Sequence, residues 1–481
     1  MTKRYDLSRL APFMLLDEPQ LTFDSNDRFL DVNPLRGLDQ HGPYSKVTFE
    51  TYTKELRVAS IAPESGRAGL RNLVETLRSS HGAKDRAEYV PGFRGFQQVF
   101  GIPLIGARTA NAHIRLSDDI GLQSAASPGE RLMQAIGGAM DRLALQREHF
   151  DVVLVYLPDT WQSAFRAPGF DAHDAIKALG AWHGIPTQVI NDRAINFPYK
   201  ASLAWRLGIA LYVKAGGLPW KLAPLPGIPE GTAYIGLAYA LRGNQTEAHY
   251  VTCCSQVFDA DGGGMQFVAF QARDPVKDLA EAKRNPYLSR SDMRAVLARS
   301  LSLYTSRNGG HLPRRLVVHK TIGFKPEEID GVLDATAAVP EVECMEVGNA
   351  VGWRGVWLLE GKGRAPSVPD GYPVPRGTVL QRTGSSALVW VAGNAPRAAL
   401  KGDYYQGKKS IPRPLSLIRH VGKGPLQLSA LEALALTKMD WNNDALYDPV
   451  PVTIRYSQKL ARTIANVPNL PGNAYAYRLF M

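Results

Sequence analysis

Four residues near the middle of the chain have the types and the spacing to hold a phosphate. His173 and Lys177 stand four apart in FDAHDAIKALGAWHG, so on a helix they share a face. Gln188 opens the next apolar segment, after GIPT, and Lys214 closes a second helical pattern just before AGG. Two ammonium groups supply point charges and the amide a neutral donor, a combination suited to a phosphate dianion. The same types also fit two solvated helix charges and a surface histidine, and charge alone does not separate the two readings.

Other phosphate-binding and catalytic signatures are missing. GGGM at 262–265 and GKGR at 361–364 lack both the spacing and the strand-to-helix context of a GxxxxGK(S/T) loop. Neither a GxSxG elbow nor a GxGxxG turn occurs, which argues against a hydrolase nucleophile and a bound dinucleotide. Cys253, Cys254 and Cys344 form no CxxC pair and no zinc-spaced cluster, and read as buried free thiols in a reducing compartment.

The elements that would position the four residues follow from periodicity. From about residue 128, PGERLMQAIGGAMDRLALQREHF has helical spacing and FDVVLVYLPD is an apolar strand. FDAHDAIKALGAWHG is a helix stopped by Gly184, IPTQVIND a short strand, and FPYKASLAWRLGIALYVKAGG a longer helix. This alternation predicts a parallel sheet in a Rossmann-like α/β unit. LPWKLAPLPGIPEG, residues 218–231, reads as a linker. Beyond it, TAYIGLAYALR, GNQTEAHYVTCCSQVF and GGGMQFVAFQA predict a three-strand meander. A helix at about 289–307, the strand RRLVVHKT, the helix FKPEEIDGVLDAT and the strand VECMEV follow, an order that outlines an RNase H-like fold. Residues 1 to about 100 read as irregular, with SKVTFETYT and ELRVASIA as strand pieces, and SALEALALTK and PVTIRYSQKLARTI close the chain as helices.

Composition sets the frame. The 481 residues leave room for two to four domains, and 45% apolar with 21% charged residues is an ordinary globular balance. The net charge of +11 leans toward a polyanionic partner, with a merely basic surface as the alternative. MTKRYDLSRLAPFMLLDEP lacks a signal-peptide core, and no run approaches the ~18 apolar residues of a membrane span. A cytoplasmic location without membrane contact is expected.

The order H-x3-K, then GIPTQ, then KAGGLPW resembles the MID domain of Argonaute proteins. YIGLAYA, RRLVVHKTIGFKPEEIDG and LTKMDWNNDALYDPVPVTIRYSQKLA resemble the PIWI domain of the same family. The resemblance covers roughly residues 128–481, and GLDQHGPY shares it. It implies an α/β chain in which a Rossmann-like MID domain precedes an RNase H-like PIWI domain. The divisions would be 1–127 for an N-terminal segment and the start of the MID lobe, 128–225 for the MID core, and 226–481 for PIWI. No length remains for N and PAZ domains, so the chain resembles a short prokaryotic Argonaute.

The resemblance assigns roles. His173, Lys177, Gln188 and Lys214 would hold the 5′-phosphate of a guide strand, with Mg2+ beside it and the Met481 carboxylate as a metal ligand. Many eukaryotic members carry a further lysine where Ala210 stands, and its loss here fits a metal-assisted site and leaves the part of His173 open. Slicing members hold metal with a tetrad of mostly acidic side chains, but Ala238, Thr321 and, near the penultimate helix, Tyr456 and Ser457 occupy those places. The chain would therefore bind a guide–target duplex without cutting it. In RAALKGDYYQGKKSIPRPLSLIRHVGK, residues 397–423, seven basic residues face one acid, and Lys401, Lys408, Lys409, Arg413 and Arg419 would follow a nucleic-acid backbone. The implied partners are a small guide RNA, a single-stranded target DNA and an APAZ-containing effector protein. That effector would be a Sir2 or TIR domain consuming NAD, or a nuclease, activated in defence against plasmid or phage DNA, with a higher oligomer on activation. The alternatives are a guide-directed nuclease with a relocated metal site, using acids such as Asp259, Asp261 or Asp274, and an assembly protein with a vestigial nucleic-acid fold.

Overall fold

Strand Val152–Leu157 is buried at all six positions, as a run of VVLVYL requires, and so needs cover on both faces. In this computed structural model, which describes residues 12–120, 126–167, 170–243, 248–257, 266–274, 280, 286–350, 352–361, 363, 365–370, 373–406, 411–466 and 474–481, it lies inside a parallel sheet. The strand order is Thr187–Asn191, Val152–Leu157, Leu56–Pro63, Leu104–Gly106, with His113–Leu116 also paired to Leu56–Pro63. Ala59, Ile61, Val153 and Val155 share one face and pack with Ile136 and Met140 of helix Pro128–Ala144 and Ile176 of helix Ala172–Trp182. Each such aliphatic side chain, fully buried, contributes about 1.5–3 kcal/mol.

The helices of this unit begin and end where their sequences dictate. Ser127 and Glu130 form a reciprocal capping box ahead of Pro128. Asp171 accepts from the backbone N–H groups of His173 and Asp174 and so starts the helix that carries Lys177. Gly184, at φ 66°, stops it. A Cβ on Gly180 would meet the Ile185 carbonyl at 2.6 Å, so glycine lets this helix lie close against the loop entering the Gln188 strand. Gly216, at φ 108°, follows the end of helix Lys200–Lys214.

By contact density the chain forms two units. The one just described comprises residues 21–221, 441–444 and 459–481; the other comprises 1–20, 222–440 and 445–458. The expected linker at 218–231 thus contains the break at 221/222. The expected strand ELRVASIA forms as Leu56–Pro63 inside the sheet, but the early residues are more regular than expected, since Arg67–Arg78 is a helix of three turns. SKVTFETYT is not a strand but contributes the helix Lys46–Tyr52. Its alternating β-branched pattern misled, because Val47 and Tyr52 face solvent and only Phe49 is buried, 4.8 Å from the Tyr212 ring.

The second unit follows the expected RNase H-like order. Strands Thr232–Gly243, Ala248–Val257 and Gln266–Gln271 form the antiparallel meander. Thr232–Gly243 also pairs in parallel with Arg315–Lys320, which pairs in parallel with Glu341–Asn349. Leu415–Val421, Ser386–Val389, Thr378–Gln381 and Phe13–Leu15 continue the sheet to its edge. Ile235, Leu237, Leu316 and Val318 face helices Arg290–Arg307 and Pro326–Ala335. Side chains alternate along a strand, so Ala238, His319 and Thr321 belong to the opposite face.

Candidate nucleic-acid interface

Three of the four predicted phosphate residues, Lys177, Gln188 and Lys214, are buried or half-buried inside the first unit. Lys177 is 3% exposed, and its Nζ donates to the backbone carbonyl of Phe480 at 3.2 Å. Lys214 is 1% exposed, and its Nζ donates to Gln188 Oε1 at 2.5 Å. Gln188 Nε2 donates to the Val189 carbonyl at 3.0 Å, which turns its oxygen toward Lys214. Met481, the residue after Phe480, is buried.

Sequence reasoning missed Lys459. Helix Val452–Asn466 carries it, half-buried, and its charge acts on both Lys177 and Lys214. Its place in PVTIRYSQKLARTI was visible, but no spacing rule ties it to a pocket so distant in the chain. Burial, then repulsion from Lys459, lowers the Lys214 ammonium to about 7. Burial, then Lys459 and Lys214, holds Lys177 well below the ordinary lysine range.

His173 is placed differently from its companions. It sits in the first turn of its helix with 49% of its side chain exposed, Nδ1 3.9 Å from Asp174 Oδ1. Desolvation lowers its imidazole, with Asp174 opposing and the Lys177 and Lys459 charges adding to the shift. Asp171, His173 and Asp174 also form the one grouping of three metal-capable side chains among the described residues. Asp171 serves as the helix cap and Asp174 accepts from Thr463 Oγ1 at 3.3 Å.

The strand ends of the second unit present a different chemistry. Leu237 pairs with Lys320, so Ala238 and Thr321 are the next neighbours on adjacent strands. The two places at which the resemblance expects acids thus follow one register pair, and a methyl and a hydroxyl occupy them. His319 on the same face hydrogen-bonds Thr453 Oγ1 at 2.9 Å, and burial lowers its imidazole to about 4. Ser457 is buried with Oγ donating to the Ile454 carbonyl at 3.1 Å, and Tyr456 donates to Asp440. Asp274, a candidate for a relocated site, accepts from the hydroxyls of Ser289 and Ser291. Asp259 and Asp261 lie outside the described residues.

The basic segment divides. Lys401 and Arg413 are exposed, and Arg413 lines a cavity of about 790 Å³ with Arg354, Tyr405 and Tyr447. Lys408 and Lys409 lie outside the described residues. Arg419 does not serve as expected. Its side chain is 7% exposed and its guanidinium donates to Glu343 at 2.9 Å, to Ser429 Oγ at 3.0 Å and to the Gly424 carbonyl at 2.7 Å. Those internal partners take the donors a phosphate backbone would need.

No protein-family model and no curated protein sequence matches the chain. Solved structures do. Clostridium butyricum Argonaute, bound to a guide DNA and a 19-mer target DNA, matches with a TM-score of 0.69 at 17% identity, over 98% of this chain and 54% of that one. A. aeolicus Argonaute with externally bound siRNA matches at 0.59 and 14% identity, over 98% and 56%. Drosophila Piwi matches at 0.58 and 15% identity, over 97% and 55%. The chain thus spans little more than half the length of these proteins. At such identities the likeness establishes the fold, an Argonaute-like chain with a MID-type α/β unit and an RNase H-like PIWI unit.

Proposed function

We propose that this chain recognises nucleic acid through a bound guide strand and does not cut it. The observation that carries the reading is the buried pair Lys177 and Lys214. Lys177 and Lys214 are buried and hydrogen-bond to neutral oxygens, and the Asp174 charge only partly offsets the burial of Lys177. A buried ammonium costs several kcal/mol unless an anion accompanies it. A terminal phosphate supplies that anion, and one at a strand's 5′ end leaves the rest of the strand outside the pocket for pairing. Sequence would then be read by base pairing rather than by side chains. The guide is a 5′-phosphorylated small RNA and the target single-stranded DNA.

Ala238, His319 and Thr321 support recognition without cleavage, because a methyl, a hydroxyl and a neutral imidazole cannot replace the carboxylates that hold catalytic Mg2+. The output then comes from an associated APAZ-containing effector, a NAD-consuming Sir2 or TIR domain or a nuclease, in defence against invading DNA. Support for such a partner is the edge of the PIWI-type sheet. Phe13 and Leu15 on the outermost strand are exposed, the Phe13 ring stacks edge-on with Trp357 at 5.5 Å, and Trp353, Leu359 and Val368 are exposed nearby in sequence to Trp357. A strand edge flanked by exposed aromatic and aliphatic side chains invites another chain.

The test loads the protein with a 5′-phosphorylated RNA and offers complementary and scrambled single-stranded DNA in Mg2+ or Mn2+. The proposal expects retention of complementary DNA alone, at full length. Cut target, or equal retention of both strands, contradicts it.

A further inference from the structure

A second cavity lies in the MID-type unit, apart from the lysine pair. Helix Arg67–Arg78 buries Leu70, Leu73 and Leu77. Between it and the strands Leu56–Pro63, Leu104–Gly106 and Val152–Leu157 a space of about 330 Å³ remains, walled by Val58, Leu70, Val74 and Leu154. Val58 and Ser60 alternate with Ala59 and Ile61, so the space lies on the sheet face opposite the one that Ile176 of the Lys177 helix covers. Neither Lys177 nor Lys214 lines it. Its size is at the lower end of small-molecule sites, roughly 300–1,000 Å³.

The floor is polar but satisfied. His113 Nε2 lies 2.9 Å from the Ala107 carbonyl, which can only accept, so in the neutral ring Nε2 carries the proton. Nδ1 then accepts from the Ser60 hydroxyl at 2.9 Å. Both ring nitrogens and the hydroxyl proton are used within the protein, and an apolar group can cover them without stranding a donor. Gly106 keeps the space beside His113 open, since a Cβ there would meet nothing nearer than that ring at 3.9 Å.

The rim is cationic. Arg67 and Arg71 stand four apart on the helix and share a face, and Arg78 follows two turns later. The one acid on the lining is Glu75, 2.5 Å from Arg78, whose Nε donates to the Leu104 carbonyl at 2.7 Å. Glu64, outside the lining, lies between Arg67 at 3.4 Å and Arg115 at 3.3 Å. Arg71 is exposed and makes no ion pair among the described residues. Four arginines thus meet two glutamates, which leaves two positive charges uncompensated. Guanidinium groups match phosphate oxygens in geometry as well as charge.

We propose that this cavity binds a small phosphate monoester, its phosphate held at the rim by Arg67 and Arg71 and its apolar body laid against Val58, Leu70, Val74 and Leu154. The site is independent of the guide-strand reading. The experiment titrates phenyl phosphate, phenol and inorganic phosphate into the protein by calorimetry, with and without a saturating 5′-phosphorylated RNA. Phenyl phosphate is expected to bind at least about tenfold more tightly than either fragment, and equally in both conditions. Gly106→Leu, which fills the space, and Arg71→Ala, which removes an exposed charge, are each expected to weaken it by about tenfold. Inorganic phosphate binding as tightly as phenyl phosphate, or no binding of phenyl phosphate, overturns the proposal. Loss of phenyl phosphate binding in RNA-saturated protein also overturns it and assigns the ligand to the lysine pair. Weaker nucleic-acid retention by Arg71→Ala, in a protein that binds no phenyl phosphate, assigns the arginines to a nucleic-acid backbone instead. The comparison of ligands uses the unmodified protein and so does not depend on the folding of any variant.

Discussion

The two units bury lysine and arginine in opposite ways. In the PIWI-type unit the prominent buried cations pair with carboxylates, some of them shared. Lys320 Nζ lies 2.6 Å from Glu328, Arg315 lies 2.6 Å from Glu343 and also pairs with Glu432, and Glu18 serves both Arg376 and Lys438 at 2.9 Å. In the MID-type unit Lys177 and Lys214 are equally buried and bond to a carbonyl and an amide oxygen. The first arrangement is complete and holds a core together. On the proposed reading the second is completed by an anion, and the acceptors of a buried cation then tell a structural role from a binding one.

Breaking a complete pair gives the largest effect. Glu328 accepts from Lys320, from the Tyr239 hydroxyl at 2.8 Å and from the backbone N–H groups of Leu288 and Lys325. Glu328→Gln is expected to destabilise the protein by about 3–5 kcal/mol in urea unfolding, because it strands the Lys320 ammonium. In the other unit, Lys177→Ala with Lys214→Ala is expected to weaken binding of a 5′-phosphorylated strand by about 100-fold or more, with unfolding little changed. Lys214→Met sharpens the contrast. It removes a buried charge without a carboxylate and is expected to stabilise the unloaded protein by about 1 kcal/mol while impairing loading.

The pH dependence follows from the same lysine. Lys214 is lowered from 10.5 to about 7, so between those values the unfolded chain holds a proton that the folded, unloaded chain does not. Stability of the unloaded protein therefore rises with pH across that window, and below about 7 the cost of the buried charge is fully present. A bound phosphate favours the ammonium, so loading near neutral pH takes up protons and weakens as pH rises. Titration calorimetry in buffers of different ionisation enthalpy reads this uptake, and Lys214→Met should reduce it. The smallest effects belong to the exposed cations. Lys401→Ala and Arg413→Ala are each expected to lower the salt slope of nucleic-acid binding by about 1, and Arg419→Ala to act on stability instead.

What the sequence revealed and what it hid follow from the range of the forces involved. The alternation of helices and apolar strands from residue 128, and the meander ahead of two parallel strands, were legible because side-chain periodicity is local. So were Lys177, Gln188 and Lys214, which lie on consecutive elements of one α/β unit. Helix Lys46–Tyr52 was misread because a single buried Phe49 among β-branched residues leaves little helical pattern. Lys459 and the Phe480 carbonyl were invisible because only tertiary packing brings the chain end back to the MID-type unit. Arg419 read as a free cation because Glu343 is far from it in sequence and next to it in the sheet.

The central claim is that the chain carries a guide strand by its 5′-phosphate. The most direct test sequences and end-labels the nucleic acid that copurifies with the protein from cells. The account predicts short strands of uniform length whose 5′ ends accept label only after phosphatase treatment, and their loss from the Lys177→Ala, Lys214→Ala protein. A well-folded protein that carries no strand, or strands of random length with 5′-hydroxyl ends, would contradict it.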